Sequence, residues 1–544
     1  MIVSRFFRAI ATCLIITMAA SYPVEAAACL CGKHSSPPRP PTPPVPPPSP
    51  SGFMVYAGCS TPPSAPRAVH YSDPVNGSLS GDGSQAHPWP GLETIVAANL
   101  FSTTPPHYDP VTHMNVPANP NAPIKPGDTV YLLNGDHGNV FIQGSFGAGL
   151  IGYSNNPMIS ILAAPGSAPI LDTLFITGGA GWAFQGLTIG SVNNTGKYPA
   201  FGNNNPDVLN VYFQGPHNNI IVDNNIIQTI PPSTASGWTM NQWLTGRRSG
   251  IKNVGGVCTA ITNNTIRNVG NGIVSQQGSS TLIYQTLIDH FFDDGIDYAD
   301  TGMLIQGNFI KNSEVDGDGV HSDGMQAQPA SETTVVQNIT ITGNTIIRLA
   351  DPSLPFPQNL QGIDQFDGVY KNVLVQNNSI VTSALQGIAY YGTQGLTVFN
   401  NTVAGDAGLY IPCLDLNLTA AQCAVQPAGY YPHAPSLTVT KSKAPLLAPA
   451  AGVTVTNNVL AGVGITVETT GLLFANNLCL PLPGATTCGI GYPVSGTEVY
   501  QHIPGTTGRQ NVIPTFDATA FFTTFDTTND IYNLTPKIPN PAQP

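Results

Sequence analysis

Charge is what this chain has least of. Lysine, arginine, aspartate and glutamate make up only 9% of the 544 residues, and 18 basic residues face 30 acidic ones for a net charge of −12. A nucleic-acid partner wants a basic face, so none is expected. Beyond the first residues no apolar run approaches the roughly 20 residues of a transmembrane helix, so no membrane span is expected either. No paired Cys-x-x-Cys motif occurs, which argues against a cysteine-held metal. Nine cysteines are present. Cys13 falls in the leader, and the other eight (Cys29, Cys31, Cys59, Cys258, Cys413, Cys423, Cys479 and Cys488) form an even set that suits disulfides in an exported protein. The close pairs Cys413/Cys423 and Cys479/Cys488 are the preferred bridges.

The leader is residues 1–26. Arg5 and Arg8 precede an apolar run from Ile10 to Ala20, and small residues around Ala26 offer a cleavage site, the pattern of a signal peptide. The mature protein is expected to be a secreted, cell-surface or periplasmic monomer. Cys29 as a lipid-anchor cysteine is the weaker alternative, because the alanines before it match poorly. Residues 27–52 are rich in proline and read as an extended spacer. Residues 53–510 form the main domain and 511–544 a tail or cap. With 56 glycines and 51 prolines the mean hydropathy is still +0.04, enough for a buried core.

Two short signatures recur through that domain. One is an Asn-rich turn before an aliphatic residue, as in Asn224-Asn225-Ile226, Asn263-Asn264-Thr265-Ile266, Gly307-Asn308-Phe309-Ile310, Gly343-Asn344-Thr345-Ile346, Asn377-Asn378-Ser379-Ile380 and Asn400-Asn401-Thr402-Val403. Tyr284 to Ile288 fills the place between the second and third. The other is glycine plus an aliphatic residue: Gly272-Ile273, Gly295-Ile296, Gly324-Met325, Gly362-Ile363 and Gly387-Ile388. The spacing is 22 residues from 264 to 286 and from 286 to 308, and 23 from 378 to 401. Short β-branched segments around a turn at that period make one coil of a parallel β-solenoid. Asparagine suits the bend, because it tolerates left-handed backbone and its amide can bond the asparagine of the next coil. The fold expected is an all-β, right-handed parallel β-helix.

The N-terminal part holds Asp82-Gly83-Ser84, Pro88-Trp89-Pro90, Leu92-Glu93-Thr94-Ile95 and Pro126-Gly127-Asp128-Thr129-Val130. This resembles the opening of pectate-lyase-like β-helix enzymes, extracellular lyases and hydrolases of polysaccharides. The resemblance implies a short helix capping the solenoid and a polysaccharide substrate. Gly127-Asp128 and Gly135-Asp136 read as turn chemistry.

Departures from the repeat point to a site. From the Asn signature to the next Gly-aliphatic signature the interval is 8 and 9 residues at 264–272 and 286–295, then 16 and 18 at 308–324 and 344–362, and 9 again at 378–387. Two consecutive coils therefore carry enlarged loops. The strands beside them read Asp293-Asp294-Gly295-Ile296-Asp297-Tyr298, His321-Ser322-Asp323-Gly324-Met325-Gln326 and Gln361-Gly362-Ile363-Asp364. Aligned on glycine, Asp294 lies over Asp323 over Gln361, and Asp297 over Gln326 over Asp364. Alternation then turns Asp297, Gln326 and Asp364 outward. Stacked carboxylates persist where a cation neutralises them, where one keeps its proton, or where solvent screens them.

The candidate catalytic residues are therefore Asp294, Asp297, His321, Asp323, Asp364 and Lys311, on one exposed patch. Tyr298, Gln326, Gln328, Arg348, Tyr390 and Tyr391 are candidates for sugar contact. By resemblance to the Asp stacks of pectate-lyase-like enzymes, Asp294, Asp297 and Asp323 are candidate Ca²⁺ ligands. A lyase acting on a uronate polysaccharide, with His321 or Lys311 as base, is the first reading. A hydrolase is the second, because Asp293-Asp294 followed by His321 is similar in order to polygalacturonase-type enzymes, although the Asp expected one coil earlier and the later Arg-Ile-Lys are missing. A non-catalytic polysaccharide-binding solenoid is the third. The insertion 411–450 is either a lid or a decoration.

Overall fold

A computed structural model describes residues 53–109, 113–143, 154–190, 209–314, 322–351, 354–356, 358–405, 435–465, 469–475, 477–479, 489–490, 522–526 and 531–536. The leader, the proline-rich spacer, His321, Cys413, Cys423, Cys488 and most of the insertion at 411–450 lie outside these residues.

The described strands stack in parallel into a β-helix. A 22-stranded sheet holds two legs of each coil, and a 12-stranded sheet the third. One coil shows the plan. Ile296–Thr301 runs to a bend at Gly302, Met303–Gln306 follows, and after the Asn turn Phe309–Ser313 closes the coil on the second sheet. The next coil repeats it with Ser322–Ala327, Val335–Thr342 and Thr345–Ile347. The insertion is shorter than the sequence suggested, because Ser436–Thr440 and Ala451–Thr456 are regular legs of a further coil.

Both sequence signatures now have physical causes. The first residue of each turn pair takes the left-handed backbone: Asn224, Asn263, Gln285, Gly307, Gly343, Asn377, Asn400 and Asn457 all have φ between 47° and 67°. The second residue builds a ladder inside the bend. Asn308 Nδ2 donates to Asn344 Oδ1 at 2.9 Å, Asn344 Nδ2 to Asn378 Oδ1 at 3.0 Å, and Asn378 Nδ2 to Asn401 Oδ1 at 2.9 Å. The next rungs run to Asn458 and Asn477. Each amide also donates to a backbone carbonyl, as Asn344 does to Ile305. At the glycine column the coils touch too closely for a side chain. A Cβ on Gly324 would lie 2.7 Å from Cγ2 of Ile346 and 2.9 Å from the carbonyl oxygen of Gly362.

One aliphatic core fills the bore, with Ile266, Ile288, Ile310, Ile346 and Ile380 from one sheet facing Ile273, Ile296, Met325, Ile363 and Ile388 from the other. A six-residue helix, Leu92–Ala97, buries Leu92 and Ile95 in the same core. On the outside, Phe53 to Tyr56 pack on Met158, Ala183, Ile221, Ala260 and Leu282. That strap carries Cys59 to Cys258, and the two are disulfide-bonded across 199 residues with Cα atoms 5.5 Å apart. Proximity in sequence favoured other pairs. The strap's path over the coils is a tertiary fact, and it selects this one. No described helix is long and apolar enough to cross a membrane.

The ladder's energetic weight can be measured. Asn344→Ala removes an acceptor used by the backbone and side chain of Asn308 and two donors of its own. We expect denaturant unfolding to show a loss of about 2–4 kcal/mol, whereas a loss below about 1 kcal/mol would mean that burial, not the ladder, holds the bend.

Candidate functional site

The register places the acids as the glycine alignment expected. Asp297 pairs with Gln326 and Gln326 with Asp364, while Asp323 pairs with Gln361. Asp294 accepts a hydrogen bond from the backbone N–H of Asp323 at 2.7 Å, which ties two coils through a carboxylate. Asn271, one coil earlier, donates through Nδ2 to Asp297 Oδ2 at 3.2 Å.

The expected exposure is overturned. Asp294 and Asp297 keep 2% of their surface, and Asp323 and Asp364 none. Pointing outward from a sheet is not the same as reaching solvent, because flanking segments can cover an outer face. Burial therefore dominates the electrostatics. It pushes Asp297 up to about 8, with Asp293 and Asp323 adding repulsion and Lys252 opposing it. Asp294 is held well above the carboxylate range by burial and by Asp297, Asp323 and Asp293. Asp364 is held there by burial and by Asp323. Asp294 and Asp297 bear on each other, and Asp323 bears on Asp364, as closely set buried carboxyls. Asp294, Asp297 and Asp364 are thus all held toward the neutral acid, the state in which stacked buried carboxyls avoid mutual repulsion.

A calcium site takes several carboxylate oxygens, and Asp294, Asp297 and Asp323 were the expected donors. Among the described residues no group of three His, Cys, Asp or Glu side chains could hold a metal ion.

The other candidates divide. Gln326 is half-buried in the column between Asp297 and Asp364, and exposed Gln328 donates to it through Nε2 at 2.8 Å. Tyr391 is half-buried, with its ring against Phe366. Tyr298 and Tyr390 lie inside the bore with no exposed surface. Their hydroxyls meet at 3.0 Å, and Tyr298 also donates to the carbonyl of Asp364. Alternation explains the correction, since Tyr298 follows outward Asp297 and must turn inward. Arg348, fully buried, donates to the carbonyl of Gln358 and so braces the loop before the strand Leu360–Gln365.

Lys311 is on the second sheet, opposite Asp289 in register, and its Nζ is 3.2 Å from Asp289 Oδ2. It is not brought together with the acid pairs. Asp289 also pairs with His290 Nδ1 at 2.7 Å and accepts from Asn312. Burial raises its pKa, but these partners outweigh that and bring it down to about 2. His290 is half-buried in this cluster. Nearby Glu314 is pushed up to about 7 by burial, with His290 opposing.

One wall of the site had no counterpart in the interval reading. Between strands Ile226–Gln228 and Ser249–Thr262 the chain inserts two helices, Pro232–Ala235 and Met240–Gly246. Trp243 packs on Phe292 with ring centres 4.5 Å apart, and Trp238 and Phe356 join the cluster. This insertion and the loop around Phe356 rise at the corner just before Asp293 and Asp294. The distance from Asn225 to Asn264, 39 residues against the usual 22, was the available signal. A separate cleft of about 360 Å³ lies around another turn, against Gly368, Gln394, Ser442 and Pro449.

Residues 249–424 match a family model described as a right handed beta helix region. No curated protein matches the chain. Among solved structures it is similar to the pectate lyase Pel9A, at 11% identity over 77% of this chain and 80% of that one with a TM-score of 0.35. It is also similar to the A-module of an Azotobacter vinelandii mannuronan C-5 epimerase (15% identity, 64% and 88% covered, TM-score 0.33). A third is PfbA, a surface adhesin of Streptococcus pneumoniae (12%, 68% and 80%, 0.34). Likenesses this distant do not bear on chemistry.

The buried acids have a measurable signature. A carboxyl whose pKa rises on folding binds more protons folded than unfolded, so stability falls as pH climbs from the ordinary carboxylate range to about 8 for Asp297. Asp297→Asn should unfold at a higher temperature than the parent at pH 8 and show little gain at pH 4. Equal gains at both pH values would show that Asp297 is ionised throughout.

Proposed function

We propose that this right-handed parallel β-helix is a secreted glycoside hydrolase acting on a polysaccharide through its stacked carboxyl pairs. The observation that carries the reading is the pairing itself. Hydrolysis of a glycosidic bond wants one carboxyl that keeps its proton near neutral pH and another that activates water. Asp297, raised to about 8, suits the acid that protonates the leaving oxygen. Asp323, buried beside Asp364, suits the base.

A uronate lyase is less well supported. It needs a cation for the uronate carboxylate and a base at the adjacent carbon, but Lys311 is engaged by Asp289 on the other sheet and Arg348 by a backbone carbonyl. The acids are covered in this structure, so substrate must displace what lies over them. His321 stands two residues before Asp323 and keeps its proposed role as a proton carrier.

Hydrolysis releases reducing ends without the ultraviolet absorbance of an unsaturated sugar. We expect that outcome on a polysaccharide panel, and we expect Asp297→Asn and Asp323→Asn each to lower turnover by about 10²–10⁴-fold while the chain stays folded. An unsaturated product would replace the hydrolase with the lyase, and retained turnover in both variants would remove these acids from the chemistry.

A further inference from the structure

The outer column holding Asp297, Gln326 and Asp364 does not begin there. One residue per coil, it continues toward the N-terminal end as Val274, Lys252, Tyr212, Phe175 and Phe141. The neighbours of each ring are core residues: Val140 and Ile142, Leu174 and Ile176, Val211 and Phe213. Strand alternation therefore puts the three rings on the outer face. They touch in sequence, with Phe141 and Phe175 centred 5.0 Å apart at 38° and Phe175 and Tyr212 4.8 Å apart at 79°. Phe175 is nearly buried between partners that both keep open surface.

We propose that this column is a glycan track, on which a neutral polysaccharide lies along the solenoid axis with its sugar rings against Tyr212, Phe175 and Phe141. The position of cleavage, at Asp297 and Asp323, rests on the hydrolase reading; the track itself does not. At about 4.8 Å per coil, Tyr212 is roughly 14 Å and Phe141 roughly 24 Å from the level of Asp297. Only a chain of several sugars spans that distance. Phe141 and Tyr212, half-open on a rigid sheet with Phe175 packed between them, give such a chain apolar contact at little entropic cost. Charge selects the neutral class. Lys252 is the one cation in the column between Phe141 and Asp364, and it already offsets Asp297. A polyanion would meet a protein of net charge −12 with a single cation in the column, and like-charge juxtaposition disfavours it.

The test is affinity gel electrophoresis of the full chain bearing Asp323→Asn, in galactomannan, mixed-linkage glucan and arabinan, with polygalacturonate as the acidic counterpart. Retardation by at least one neutral polymer and none by polygalacturonate is expected. Adding Phe141→Ala with Tyr212→Ala should raise the apparent Kd by about tenfold or more. Phe141→Leu with Tyr212→Leu, which keeps apolar volume but removes the ring faces, should do the same even if the alanine pair folds poorly. Retardation by polygalacturonate alone, by nothing, or undiminished in the leucine pair overturns the track. Ring-dependent binding, with no reducing ends released by the chain that keeps Asp323, supports the track and sinks the hydrolase. Cleavage by the chain that keeps Asp323, with undiminished binding in the leucine pair, does the reverse.

Discussion

Everything in this protein follows from one constraint: each residue of a coil lies about 4.8 Å from its counterpart in the next. A side chain is therefore judged less by its own surroundings than by what is stacked on it. Asparagine stacked on asparagine closes a hydrogen-bond ladder. Glycine stacked on a carbonyl leaves no room for anything larger. Aspartate near aspartate, out of water, is held toward its neutral form. The same geometry that secures the fold thus creates the chemistry, without any loop having to hold the acids in place.

The acid pairs also cost stability. Four carboxyls withdrawn from water on adjacent coils are a liability that Asn271 and the Asp323 backbone N–H relieve only in part, and Lys252 is the cation acting on Asp297. A solenoid tolerates this because stability is close to a sum over coils and their interfaces. The Asn ladder and the aliphatic bore run unbroken on either side of the strained level. Strain tolerated in this way, beside two successive enlarged loops and an aromatic-bolstered insertion, is where function is sought.

Covers matter as much as coils. The strap from Phe53 to Cys59 closes an apolar outer stripe and is fastened by the Cys59–Cys258 bond. The helices at 232–246 build a wall through Trp243, Phe292 and Phe356. Neither belongs to the repeat, and each decides which part of an outer column meets solvent.

The repeat was open to reading because its causes are local. A left-handed turn needs asparagine or glycine, a tight crossing needs glycine, and the period of about 22 residues follows from the length of a coil. Register came with it, so Asp297 over Gln326 over Asp364 could be placed from glycine alignment alone. What each outward residue meets was beyond reach, because it depends on segments far away in sequence. That is why the acids proved covered, why Lys311 proved committed to Asp289, and why Cys59 found Cys258. The ring column had a signal in the alternation of Val140-Phe141-Ile142, Leu174-Phe175-Ile176 and Val211-Tyr212-Phe213, but the coils of Phe141 and Phe175 lack the Asn turn that would have set their register. Sequence determined the coil, because its bends are chemical necessities. Tertiary structure decided exposure and pairing, because burial on an outer face is set by whatever the chain lays across it.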